Sequence, residues 1–212
     1  MRKKSKKLLP NYSLYSGACW LKVTTLGPGR IRHDFGDNIK LGKYSSIEQS
    51  VLIDPADESV KQLLEEAKFK CDLEENVQSI QLTKLALNVP FCILIAQRGK
   101  TPSEILADSI LNGKREELQQ EIIKACQLYG SPIDVEFLTK NLERLREQPV
   151  IVAPSPQKLA EMIKLELPSN VGALLDLMES KGLKLTKLRS LYEHSLECLN
   201  RPQNMISLLD YE

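Results

Sequence analysis

Hydrophobic and polar positions follow two different periods along this chain. From Ala18 to Leu26 aromatic and β-branched residues gather as in a strand, and Gly27-Pro28-Gly29 is a strong turn signal. Arg30 to Phe35 supplies a returning strand, so a hairpin with a somewhat longer loop is predicted. Gly36-Asp37-Asn38 and Leu41-Gly42-Lys43 look like further turns, and Ser50 to Asp54 like a third short strand closed by Pro55. A small antiparallel sheet over about 17–54 follows from this pattern.

After Pro55 the period becomes helical. Val60, Leu63, Leu64 and Ala67 recur at three- and four-residue spacing, with charged residues between them. Residues 73–88 admit two readings. Ile80 to Thr83 alternates like a strand, whereas Leu82, Leu85 and Ala86 are spaced like a helix, and Pro90 is expected to break any continuous helix. From Thr101 onward the pattern is helical: a helix ended by Asn112-Gly113, then Glu116 to Tyr129 stopped by Gly130. A further helix places Val135, Leu138, Leu142 and Leu145 inward, and others span about 156–166, 169–181 and 184–199. The fold class is therefore α+β, a small N-terminal antiparallel β section followed by a mostly helical domain. The expected divisions are a basic flexible arm at 1–12, a small α/β section at 13–72, a helical core at 73–148 and a C-terminal helical section at 149–212.

Composition narrows the class without choosing a chemistry. Charged residues make up 27% and the hydrophobic set 42%, an ordinary globular balance. The longest strongly apolar run, Val89 to Ala96, is too short to cross a bilayer, so no transmembrane segment is expected and the protein reads as cytoplasmic. Five scattered cysteines and two histidines offer no zinc-like spacing, so no metal is expected. His33-Asp34 points to opposite faces of a strand, and His194 sits one helical turn from Cys198; neither pair supplies a third catalytic member. No catalytic residue and no cofactor are assigned.

Charge does change the picture. Residues 1–50 hold ten Lys/Arg against three Asp/Glu, whereas the remainder is acidic by six. Lys3, Lys4, Lys6 and Lys7 form a basic arm suited to phosphates, and Arg30 and Arg32 add charge on the hairpin. Thr101-Pro102-Ser103-Glu104 satisfies the rules for a capping box, with Pro102 at the first helical position. Arg98 and Lys100 precede it, so Arg98, Lys100, Thr101 and Ser103 compose an expected anion site at a helix start. Ile80 to Thr83, a short apolar helix and Arg98 to Leu106 together resemble the ribbon-helix-helix DNA-binding family over about 79–113. That resemblance implies an intertwined dimer in which Gln81 and Thr83 face bases and Lys100, Thr101 and Ser103 touch the backbone.

These features point to a nucleic-acid-binding protein with a regulatory or accessory role; an enzyme whose residues assemble from distant positions ranks lowest, since no coherent nucleophile, metal or phosphate signature is present. The alternative is a helical protein–protein interaction module, an adaptor without catalysis, with a protein partner or a second copy of the chain.

Overall fold

The structure, a computed structural model, describes residues 13–44, 52–147 and 156–200 of the chain. It divides into two compact units, Met1–Gln81 and Leu82–Glu212. A small sheet precedes a predominantly helical region, as an α+β chain requires.

The first unit is built on one long hairpin. Strand β1 (Tyr15–Gly27) pairs antiparallel with strand β2 (Arg30–Lys43), in register from Tyr15 opposite Lys43 to Gly27 opposite Arg30. The expected turns at Gly36 and Gly42 lie inside β2. Gly36 has φ of 82°, and a Cβ there would strike the Trp20 carbonyl oxygen. The pairing register shifts at the neighbouring Trp20, Lys22 and Val23. The sequence signature of a turn thus marks a bulge in a continuous strand.

The third strand also falls elsewhere than expected. Residues 52–54 are not a strand; Asp54 caps helix α1 (Pro55–Glu66), accepting from the amides of Ala56 at 2.9 Å and Asp57 at 3.2 Å. Asp57 returns the bond by accepting from the Asp54 amide at 2.7 Å. Strand β3 (Lys70–Leu73) follows α1 and runs parallel to β2, so the sheet is mixed, in the order β1-β2-β3. A parallel neighbour needs a crossover, which α1 provides.

Helix α2 (Val77–Arg98) starts in the first unit and continues into the second, passing through Pro90 without a break. By length and composition it could span a bilayer, contrary to the limit set by the 89–96 run alone, but 72% of its most apolar window is buried inside the protein. It is a core helix. The strand implied over 80–83 by the ribbon-helix-helix resemblance is helical instead. Gln81 Nε2 donates to the Ser16 hydroxyl at 2.6 Å, and Thr83 is buried, its hydroxyl accepting from the Asp134 amide at 3.1 Å.

Around residues 82–98 of α2 the second unit packs α3 (Pro102–Ala107), α4 (Ser109–Leu128), α5 (Val135–Glu147), α6 (Pro156–Leu167), a π-helical turn (Pro168–Gly172), α7 (Ala173–Glu179) and α8 (Thr186–Asn200). The core joins Leu82, Val89 and Ile93 to Ile105, Ile122, Leu138, Leu167, Leu174, Met178 and Leu188. Asn112-Gly113 does not stop a helix. The break falls at Asp108, whose carboxylate accepts from the amides of Ile110 and Leu111 and so restarts the chain as α4. Leu138 and Leu142 are buried as the spacing predicts, while Val135 is half exposed. Side chains tie α2 to its surroundings: Gln119 Nε2 donates to the Ala86 carbonyl at 3.3 Å, and Gln97 Nε2 donates to the Ser195 hydroxyl at 3.1 Å.

Candidate active site

Of the cations singled out by sequence, those described are Arg30 and Arg32 on the hairpin and Arg98 and Lys100 before the Thr101 helix start. Lys3, Lys4, Lys6 and Lys7 lie outside the described residues. Arg30 is exposed at the hairpin turn, and Arg32 Nε is paired with Asp34 at 2.6 Å. Asp34 also accepts from the Thr24 hydroxyl, and His33 contacts the Gly36 carbonyl rather than Asp34.

The capping box at Thr101 forms as expected, and that is what fills the anticipated anion site. Glu104 accepts from the Thr101 amide at 2.7 Å and from its hydroxyl at 2.8 Å, while Thr101 Oγ1 accepts from the Glu104 amide at 3.3 Å. These bonds from Thr101 hold the Glu104 carboxyl below its ordinary value. The helix start therefore carries its own anion, and α3 is only six residues long. Arg98 and Lys100 are exposed beside it, and Ser103 is half-buried.

A different group of polar residues stands out on α2. Residues 82–96 are apolar except for Thr83, Lys84, Asn88 and Cys92, and Lys84 is the one charged residue of that stretch. Thr83 is taken up by the Asp134 amide. Lys84, Asn88 and Cys92 recur every fourth residue and share one face of the helix. Lys84 and Asn88 are half-buried; Cys92 is buried. Burial, with Glu166 adding its charge, pushes the Cys92 thiol up to about 12, so it remains S–H. Its sulfur lies 3.8 Å from Asn170 Nδ2, in the π-helical turn, and 4.0 Å from Glu166 Oε2. π turns inside helices are rare and frequently fall at functional sites.

An ammonium and a carboxamide on one face of a largely apolar helix form a donor pair for a carboxylate or a polarised carbonyl oxygen. The sequence signal for them was available: a lysine in the most apolar stretch of the chain. It was hidden because Pro90 argued against a continuous helix, and without the helix Lys84 and Asn88 share no face.

No family model matches the chain. A curated 2-dehydropantoate 2-reductase from Nostoc sp. (strain PCC 7120 / SAG 25.82 / UTEX 2576) is 24% identical over 195 residues, covering 92% of this chain and 60% of the relative. Among solved structures, the 2-dehydropantoate 2-reductase from Methylococcus capsulatus superposes with a TM-score of 0.73 at 20% identity, covering 96% of this chain and 64% of that one. A D-mandelate dehydrogenase in complex with NADH gives a TM-score of 0.74 at 17% identity, over 94% of this chain and 66% of that one. The 2-dehydropantoate 2-reductase from Geobacter metallireducens GS-15 gives 0.71 at 19% identity, over 86% and 60%. The structures establish a shared fold over the matched residues, and the chain spans about three fifths of the length of these relatives. These similarities overturn the expectation of a DNA- or RNA-binding regulator, and equally that of a non-catalytic adaptor: the proteins this chain is similar to are reductases and a dehydrogenase.

Proposed function

We propose that this chain is the substrate-side, largely helical part of a reductase acting on 2-dehydropantoate or a related 2-oxo acid. The observation that carries this is the placement of Lys84 and Asn88 one turn apart on the same face of helix α2, in a chain that shares its fold with such reductases. Reduction of a 2-oxo acid delivers a hydride to the carbonyl carbon and a proton to its oxygen. The Lys84 ammonium is suited to hold that oxygen and the charge growing on it, and the Asn88 amide to fix the substrate's orientation.

A nicotinamide dinucleotide, as carried by the D-mandelate dehydrogenase, supplies the hydride when bound. Its pyrophosphate requires a glycine-rich strand-to-helix turn with open helix-start amides. The turn from β3 to α2 does not fit. It reads Glu74-Glu75-Asn76, with Glu74 paired to Lys40 at 2.7 Å and Asn76 already accepting from the Ser79 amide at 3.0 Å. No cradle for the dinucleotide is formed there; the Lys84–Asn88 face serves substrate binding alone.

Calorimetric titration of the full chain with 2-dehydropantoate, and with D-mandelate as a 2-hydroxy acid, tests the assignment. Saturable binding is expected, weakened about 10- to 100-fold by Lys84→Ala, the worth of a charge-assisted hydrogen bond. Absence of saturable binding, or equal binding by Lys84→Ala, overturns it.

A further inference from the structure

Proline at position 90 leaves a debt on the preceding turn of α2. In an α-helix the carbonyl of Ala86 accepts from the amide of residue 90, and proline has no N–H. Ala86 is fully buried, so no solvent replaces that donor. An unsatisfied buried carbonyl is costly, and proteins seldom leave one.

The missing donor comes from α4. Gln119, itself buried, donates from Nε2 to the Ala86 carbonyl at 3.3 Å. Its amide is held the right way round by Arg115, whose NH1 donates to Gln119 Oε1 at 2.9 Å. A reversed amide would set oxygen against the Ala86 oxygen and N–H against the guanidinium. Arg115 is 2% exposed and anchored in turn: Nε donates to Asn112 Oδ1 at 2.9 Å and NH2 to Glu116 Oε1 at 3.1 Å. Asn112 Nδ2 donates to the same Glu116 oxygen at 3.0 Å. Asn112, Arg115, Glu116 and Gln119 thus occupy one stripe of α4, at helical spacing, and all converge on a single carbonyl of α2.

That carbonyl lies between Lys84 and Asn88. The open turn runs from Ala86 to Pro90 and contains Asn88, so its geometry sets the spacing of the two polar groups. By the helical period, Ala86 and Pro90 lie roughly opposite Lys84 and Asn88, and Gln119 braces the helix from behind that face.

We propose that Gln119, oriented by Arg115, is a positioning residue that replaces the backbone donor lost at Pro90 and thereby fixes the Lys84–Asn88 face of α2. What that face binds rests on the function proposed above; the brace itself does not.

Four variants of the full chain test it: Gln119→Met, Gln119→Glu, Pro90→Ala, and Pro90→Ala combined with Gln119→Met. Melting temperature and affinity for 2-dehydropantoate are measured for each. Gln119→Met is expected to lower the melting temperature and to weaken binding about tenfold, the scale of a small misplacement of binding groups. Gln119→Glu keeps a partner for Arg115 but has no donor for Ala86, and is expected to weaken binding likewise. In the Pro90→Ala background, where residue 90 again supplies an amide, Gln119→Met is expected to leave binding unchanged and to lower the melting temperature by less than half of its single-variant drop. Equal losses with and without Pro90, or wild-type binding by Gln119→Glu, overturn the proposal. Lys84→Ala, measured alongside, separates the two questions: if it binds as the wild type, the proposed function fails, while the coupling of Gln119 to Pro90 in melting temperature still decides the brace.

Discussion

A carboxylate as enclosed as Asp57, 4% exposed, stays ionised only when its neighbours outweigh the cost of burial. Burial pushes the Asp57 carboxyl up, but three donors together bring it below the usual carboxylate range. The Tyr15 hydroxyl donates at 2.6 Å, the Asp54 amide at 2.7 Å, and the Lys43 ammonium sits at 3.1 Å while also pairing with Asp54. A carboxyl lowered in the folded state contributes stability above its unfolded value near 3.8, and that stability is lost as pH falls through the lower folded value. Asp57→Asn is therefore expected to lower stability at neutral pH and to flatten the decline below about pH 4. Urea unfolding from pH 7 to pH 3, followed by the fluorescence of Trp20, reads both effects. Parallel acid limbs for the variant and the wild type would show that Asp57 carries no charge-linked stability.

Elements depend on what their residues meet, and Gly36 shows how a local signal misleads. Glycine, aspartate and asparagine in succession are turn-formers, yet β2 runs through them because its partner strand has an irregularity at that level. Gly36→Ala is expected to destabilise the hairpin by roughly 3 kcal/mol, since the left-handed backbone and the Trp20 carbonyl both oppose a Cβ. Gly29→Ala, with φ of 68° at the hairpin turn but open space around it, is expected to cost only about 1 kcal/mol. Thermal melts of the two variants give the comparison, and equal losses would locate the cost in the backbone angle alone. Where apolar spacing and caps act within a few residues, the sequence is a sound guide: the helices at 135–147 and 186–200, the stop at Gly130 and the capping box at Thr101 all lie close to their predicted places, although α4 begins at Ser109 rather than at Glu116. It fails where a distant residue decides. β3 needs its pairing with β2, α2 needs Gln119 to pass Pro90, and the Lys84–Asn88 face exists only once α2 is continuous. At the expected anion site Glu104 closes the box that Thr101 opens, so the helix start carries a carboxylate of its own.

Across the whole molecule the two units rest on different kinds of interaction, and acid should distinguish them. Among the described residues, the buried apolar side chains of the first unit are Ala18, Cys71, Val77 and Ile80, whereas the second unit holds the extended core centred on α2. The first unit compensates with ion pairs across and beside its sheet: Arg32 with Asp34, Lys40 with Glu74, Lys70 with Asp37, and Lys43 with Asp54 and Asp57. Asp54 and Asp57 are both lowered in the folded state, Asp54 chiefly by its bond from Lys43, so acid removes stability there. In the second unit the carboxyls oppose one another. Glu104 is lowered by Thr101 and Glu117 by Lys187, but burial raises Glu121, and a raised carboxyl penalises the folded state above its folded value and relieves it as pH falls. The apolar core contains no group that titrates in this range, and neither do the Arg115 and Gln119 side chains. Amide hydrogen exchange at pH 7 and pH 4, corrected for intrinsic rates, is therefore expected to show residues 15–43 and 55–73 losing protection while residues 82–98 and 109–128 keep theirs. Loss of protection in both segments by the same free energy would mean that the chain opens as one cooperative body. Loss confined to the helices would assign the acid sensitivity to the second unit, and with it the carboxyls around α8 rather than the Asp57 cluster.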